Sequence, residues 1–198
     1  YSPLPWAPED IVEETCEKVL APVVAEMAAR GTPFIGLLYA GLALTKSGLK
    51  VIEFNARFGD PETQAVLSVF QGDLAKLLHS AAIGALDHSA MQSRSKGFAC
   101  NVVMASGGYP DDYETGHVIL GLDKANEDPN VHVFHAGTKS LPDGTIVTAG
   151  GRVLGICGLG EQLADAIHHA YSGLEHIHYH HRYYRTDIGK KGLNVTNP

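Results

Sequence analysis

Around residues 87–96 the sequence changes texture, and no other feature restricts its fold as much. Before that stretch, apolar residues recur at helical spacing over residues 8–30, with Ile11, Val12, Cys16, Val19, Leu20, Val23, Val24 and Met27 on the repeat. A second helical pattern runs from Glu62 to about Leu86. Between the two lie the apolar runs Phe34–Leu44 and Leu49–Asn55, joined by Thr45-Lys46-Ser47-Gly48, which reads as a hairpin. After the polar, aperiodic stretch the chain becomes a series of short strands: Phe98–Ala105, His117–Leu120, Val131–His135, Thr145–Ala149 and Arg152–Cys157. Gly107-Gly108-Tyr109-Pro110 and Pro142-Asp143-Gly144 supply turns between them, and a helix over Glu161–Ile177 closes the series. The pattern predicts an α/β (α+β) chain of two domains, residues 1–93 and residues 94–198, connected by Asp87–Lys96.

Local punctuation sharpens the helices. Pro8, Glu9 and Asp10 suit a first turn, Pro22 is expected to kink the helix it sits in, and Gly31 is placed to cap its end. Gly72-Asp73 is expected to break the second helical region, with Asp73 capping the latter half.

The bulk properties exclude whole classes of function. A net charge of −7 over 198 residues argues against broad nucleic-acid binding, which needs clustered Lys and Arg. No apolar run reaches the roughly 18 residues of a membrane span, so no membrane partner is expected. Cys16, Cys100 and Cys157 are widely spaced, form no CxxC pair and sit among apolar residues, as reduced core thiols in the cytoplasm do. The chain opens on Tyr1-Ser2-Pro3 without an initiator Met, so it is expected to be a piece of a longer protein.

Chemistry concentrates at the end of the second hairpin strand. In Val51-Ile52-Glu53-Phe54-Asn55, alternation puts Ile52 and Phe54 toward a core and Val51, Glu53 and Asn55 on the opposite face. A carboxylate and an amide oxygen two positions apart suit Mg²⁺, a hard cation that takes a few protein oxygens and completes its shell with water and phosphate. A solvated polar strand face would show the same spacing. The residues that follow decide between these readings: Asn55 runs into Ala56-Arg57-Phe58-Gly59-Asp60-Pro61-Glu62. A plain turn does not require Glu, Asn, Arg, Asp and Glu within ten residues. Arg57 can grip a phosphate or carboxylate with two hydrogen bonds, and Gly59 and Pro61 tighten the turn into the next helix.

The segments Gly36-Leu37-Leu38-Tyr39-Ala40-Gly41, KVIEFNARFGDPETQAVL, MASGGYP, VFHAGT, TAGGRVLG and YRTDIG stand in this order along nearly the whole chain. In them the chain resembles the phosphoribosylamine–glycine ligases (glycinamide ribonucleotide synthetases), ATP-grasp enzymes of purine biosynthesis. The resemblance implies the C-terminal part of an ATP-grasp domain followed by a small β-rich domain with a packing helix. It implies that Glu53 and Asn55 hold Mg²⁺ or Mn²⁺ beside the phosphates of ATP. It also implies ligation of glycine to 5-phosphoribosylamine, through a glycyl phosphate, to give glycinamide ribonucleotide, ADP and phosphate. Arg57 would then hold the carboxylate or the departing γ-phosphate, with Asp60 and Glu62 steering the amines or bracing Arg57. The family's N-terminal domain and ATP-grasp lid have no counterpart here, so the missing N-terminal part is the expected partner and the piece alone is expected to be inactive.

Weaker signals stand beside these. Gly150-Gly151-Arg152 could bring a backbone turn and a guanidinium near a substrate phosphate or be a plain tight turn, and Arg185-Thr186-Asp187-Ile188-Gly189 could be a substrate-side contact or a surface tail. The histidines at 168, 169, 176, 178, 180 and 181 lack the i,i+4 spacing of a metal site and read as surface or partly buried groups. Two competing functions remain: a biotin-carboxylase-type ATP-grasp enzyme and a non-catalytic β-rich binding module. The first carries a different run after its metal-site arginine, and retention of Glu53, Asn55 and Arg57 speaks against the second.

Overall fold

The computed structural model describes residues 1–92 and 95–194. They form two compact units: residues 1–5, 61–70 and 95–194 in one, residues 6–60 and 71–92 in the other. The expected domain boundary between residues 93 and 94 lies outside the described residues, and part of the expected 87–96 connection lies there with it.

In the second unit the first helical region is interrupted. Helix α1 (Ile11–Thr15) passes into one π turn, Cys16–Leu20, before α2 (Ala21–Ala29). Residues 8–10 lie outside the helix, so Pro8 is not in its first turn. Just ahead of Pro22, where a kink was expected, stands a π turn in which the Ala21 N–H donates to Cys16 O. Proline cannot donate to the carbonyl four residues back and its ring crowds that carbonyl, and a widened turn relieves both problems. Gly31 ends the helix at φ +78, as its position predicted. Cys16 is exposed, not a core thiol, because this helical region buries little of its surface, Val19 being its one buried residue.

Strands β1 (Tyr39–Thr45) and β2 (Gly48–Asn55) form the predicted antiparallel hairpin. Its first strand begins later than the apolar run suggested, since Gly36 at φ +138 bends the backbone away from extended geometry. In the same unit α4 (Leu74–Ala82) starts at the predicted cap: Asp73 accepts from the Lys76 N–H at 2.9 Å.

The other unit is built on the four-stranded antiparallel sheet β4-β7-β3-β8, with β3 Phe98–Ser106, β4 Val131–His135, β7 Arg152–Gly160 and β8 Arg182–Tyr184. Helix α6 (Leu163–Glu175) covers one face, burying Leu163, Ala166, Ala170 and Leu174 against Cys100, Val102, Met104, Leu154 and Ile156. Helix α3 (Glu62–Ser68) covers part of the other, where Ala65 and Val69 meet Ala99 and Cys157. Burial on both faces explains why β3 and β7 read as continuous apolar runs rather than alternating ones. Gly158 makes the α6 packing possible. A Cβ there would lie 2.2 Å from Ala166 O and 2.3 Å from Ala170 N, so helix backbone rests directly on strand backbone.

Short elements complete this unit: α5 (Leu122–Ala125), the pair β5 (Thr138–Ser140) and β6 (Ile146–Thr148), and α7 (Lys190–Leu193). The expected strand over 117–120 is reduced to single bridges, Val118 with Val147 and Leu120 with His178.

Candidate functional site

Glu53 and Asn55 lie on one face of the hairpin. Their cross-strand partners are Gly41 and Tyr39, two positions apart on β1, and residues so spaced share a face. Asn55 Nδ2 donates to Glu53 Oε1 at 2.9 Å, bringing a carboxylate and an amide together. A glycine opposite Glu53 keeps the space open, because a Cβ on Gly41 would stand 3.1 Å from Glu53 Cγ.

Two expectations about this strand need correction. The register slips between Gly41 and Leu42, so that Glu53 pairs with Gly41 while Val51 pairs with Leu42, leaving Ile52 as the extra residue of a bulge. Val51 therefore faces away from Glu53, with Leu42. Nor do Ile52 and Phe54 enter a core: they are 70% and 39% exposed, and the hairpin is a two-stranded sheet among the described residues.

The bend after β2 carries Arg57 and Asp60, both exposed, and Arg57 Nη1 donates to Phe58 O at 2.8 Å. No cluster of three or more His, Cys, Asp or Glu able to hold a metal occurs among the described residues. Glu53 and Asn55 fit half of a hard-cation site: two oxygen-bearing side chains touching each other, beside a residue without a side chain.

Residues Gly151, Arg152 and Arg185 belong to the other unit. There Asn101, Val103 and Ala105, alternate residues of β3, line a pocket of about 290 Å³ with Pro61, Tyr109, Arg152, Tyr183, Tyr184, Arg185 and Ile188. Two arginines thus line one cavity. A second register slip, between Met104 and Ala105, pairs Ala105 with Arg152 and makes Val153 the extra residue, which re-aims the end of β7. Gly151 is required beside it: a Cβ would meet the Tyr109 ring at 2.2 Å. The Ser106 N–H donates to Gly151 O at 2.8 Å, and Ser106 Oγ donates to Gly150 O at 2.9 Å.

Arg185 is held by a two-pronged ion pair, with Nε to Asp187 Oδ1 at 2.9 Å and Nη2 to Asp187 Oδ2 at 2.7 Å. The pair lowers the Asp187 pKa and raises that of Arg185, each favouring the other's charged form. Glu62 lines an adjoining pocket of about 330 Å³, together with Asn101, Arg185, Asp187 and Lys191. Asn101 bridges the two: its Nδ2 donates to Pro61 O at 3.3 Å, and its buried Oδ1 has no hydrogen-bond partner. Sequence reasoning passed over Asn101, Tyr109 and Asp187, although a lone amide inside the apolar run Phe98–Ser106 is a legible signal.

The histidines are dispersed among other contacts. His169 Nδ1 is 2.8 Å from Asp128 Oδ2, and the His117 and His180 rings meet at 5.1 Å. Cys100 and Cys157 are buried; desolvation pushes the Cys100 thiol up to about 11 and raises that of Cys157, so both are held as unreactive thiols.

The fold is that of an ATP-grasp protein. A crystal structure of the biotin carboxylase domain of Hydrogenobacter thermophilus 2-oxoglutarate carboxylase shares the fold, with a TM-score of 0.57 at 16% identity over 92% of this chain and 39% of that one. Family models are more specific. The phosphoribosylglycinamide synthetase ATP-grasp (A) domain matches residues 1–63, and the phosphoribosylglycinamide synthetase C domain matches residues 99–191. The chain belongs to the phosphoribosylglycinamide synthetase family. It is 49% identical over 197 residues to the phosphoribosylamine–glycine ligase of Streptomyces coelicolor, covering 98% of this chain and 47% of that one. The crystal structure of the Thermotoga maritima phosphoribosylamine–glycine ligase superposes with a TM-score of 0.78 at 30% identity, over 91% of this chain and 44% of that one. The chain spans about half the length of the curated relatives it matches.

Proposed function

We propose that this chain supplies part of the active site of an enzyme that joins glycine to 5-phosphoribosylamine at the expense of ATP, a step of purine synthesis. The observation that carries the reading is the Glu53–Asn55 pair on one face of the hairpin, 2.9 Å apart, in a chain of this family. Identity of 44–49% to relatives named for this ligase favours it over the biotin-carboxylase reading, where the likeness is one of fold alone.

In this reading Glu53 and Asn55 hold Mg²⁺ or Mn²⁺, which when bound offsets charge on the ATP phosphates. Arg57 holds the glycine carboxylate, or the γ-phosphate as it departs. Asp60 and Glu62 steer the amines or brace Arg57. A carboxylate oxygen of glycine attacks the γ-phosphorus and the bond to ADP breaks, giving glycyl phosphate. The phosphoribosylamine nitrogen then attacks the carbonyl carbon, the amide bond forms as the nitrogen gives up one proton to the solvent, and phosphate leaves with the electron pair of the broken C–O bond. Arg152 and Arg185, which border one pocket, would hold the sugar phosphate of that amine, with Gly151 giving close access to backbone. The remaining groups would come from the stretch of the relatives that these 198 residues do not span, so the chain alone would not complete the reaction. We place the reaction in the cytoplasm, in keeping with three unpaired cysteines. No described helix is long and apolar enough to cross a membrane.

The test is substrate dependence, measured on a ligase of the relatives' full length with this sequence as the matching stretch. ADP release is expected to require glycine and phosphoribosylamine together. Release driven by bicarbonate and biotin instead would overturn the reading in favour of a carboxylase.

A further inference from the structure

The pocket bordered by two arginines raises the question of what fixes Arg185, which lies just beyond a three-residue edge strand. Its side chain is 63% exposed and belongs to a long, flexible residue type. An arginine so placed contributes to binding only if its conformational freedom is already restricted.

Two contacts restrict it. Asp187 takes Nε and Nη2, which sets the plane of the guanidinium and uses two of its five N–H donors. The second contact comes from the helix on the other face of the sheet. Tyr171 of α6 donates its hydroxyl to Arg185 O at 2.7 Å, and the hydroxyl oxygen of Tyr171 accepts the Ile188 N–H at 3.2 Å. One phenol therefore grips the backbone at both ends of the segment 185–188, while its ring packs beside Tyr184 with centroids 6.5 Å apart. Burial raises the Tyr171 pKa, so the hydroxyl keeps its proton and remains a donor.

We infer that Tyr171 is a positioning residue for Arg185, pinning the 185–188 backbone so that the Asp187-braced guanidinium meets the phosphate of the sugar substrate in a fixed place. Tyr171 lines neither pocket that Arg185 borders. Its effect passes through the chain it anchors. The inference rests on the reading that this pocket takes the phosphorylated sugar.

Tyr171→Phe keeps the ring and its packing and removes only the hydroxyl. In the full-length ligase carrying this sequence, two lost hydrogen bonds predict a rise of about ten-fold in KM for phosphoribosylamine. Both kcat and KM for glycine are expected to stay within about two-fold, the split that separates uniform substrate binding from chemistry. Asp187→Asn is expected to move the same KM in the same direction. Arg185→Ala, measured alongside, tests the pocket itself and is expected to raise that KM by about a hundred-fold.

If Arg185→Ala raises KM while Tyr171→Phe leaves it unchanged, the positioning role is overturned and the pocket assignment stands. If Tyr171→Phe lowers Tm and weakens all three substrates alike, the hydroxyl is merely structural and the inference fails. An unchanged KM in Arg185→Ala removes the phosphate reading and the inference with it.

Discussion

Asp87 shows what one half-buried carboxylate can organise. Its Oδ1 accepts from Ser89 N at 2.9 Å and Ser89 Oγ at 2.6 Å, and its Oδ2 lies 2.8 Å from Lys76 Nζ on α4. The Lys76 ammonium and the Ser89 donors hold the carboxyl down to about 2. An unfolded aspartate titrates near about 4, so the native pKa is the lower one and folding here favours the charged form. The contribution is complete above about pH 4 and is lost as pH falls through about 2. Amide protection at Ser89 and Ala90 is therefore expected to fall between those pH values in hydrogen exchange. Asp87→Asn should lose that dependence. Protection that stays flat across the range in the native sequence would contradict the assignment.

Among the elements, those set by local chemistry were legible. Asp73 caps α4 and Gly31 ends α2 because a short acceptor side chain and a left-handed backbone leave few alternatives. Strand β4 has the bounds its apolar run suggested. What escaped was set by partners distant in sequence. The bulge that turns Val51 away from Glu53 belongs to the pairing with β1, and no alternation within β2 encodes it. Strand β8 has three residues and exists because it pairs with the end of β3. Of the candidate site, Glu53 and Asn55 could be read from one strand, whereas Arg152 and Arg185 meet at one pocket only through the order β7-β3-β8. The contact of α6 with β7 is the tightest such dependence. Gly158→Ala would force a Cβ within 2.2 Å of helix backbone, with no side chain able to yield. Such overpacking is expected to cost ~3 kcal/mol or more, read as a lowered denaturation midpoint. A loss under ~1 kcal/mol would show that α6 can shift without penalty.

At the scale of the molecule, the two units carry different parts of the proposed chemistry. One presents the oxygen pair Glu53 and Asn55 with Arg57; the other presents a pocket bordered by arginines. In the proposed reading these parts serve one ATP-grasp reaction, and the chain spans about half the length of the relatives it matches. The central claim is that Glu53 and Asn55 are metal ligands. The most direct measurement is glycine- and phosphoribosylamine-dependent ADP release by the full-length ligase, titrated with Mg²⁺, for the native sequence and for Glu53→Gln and Asn55→Ala. Each variant removes one oxygen ligand from an exposed strand face, so the fold should unfold as cooperatively as before. Turnover is expected to fall by roughly a hundred-fold or more, with the Mg²⁺ needed for half-maximal rate displaced upward. Near-normal turnover in both variants, at the native Mg²⁺ requirement, would contradict the claim.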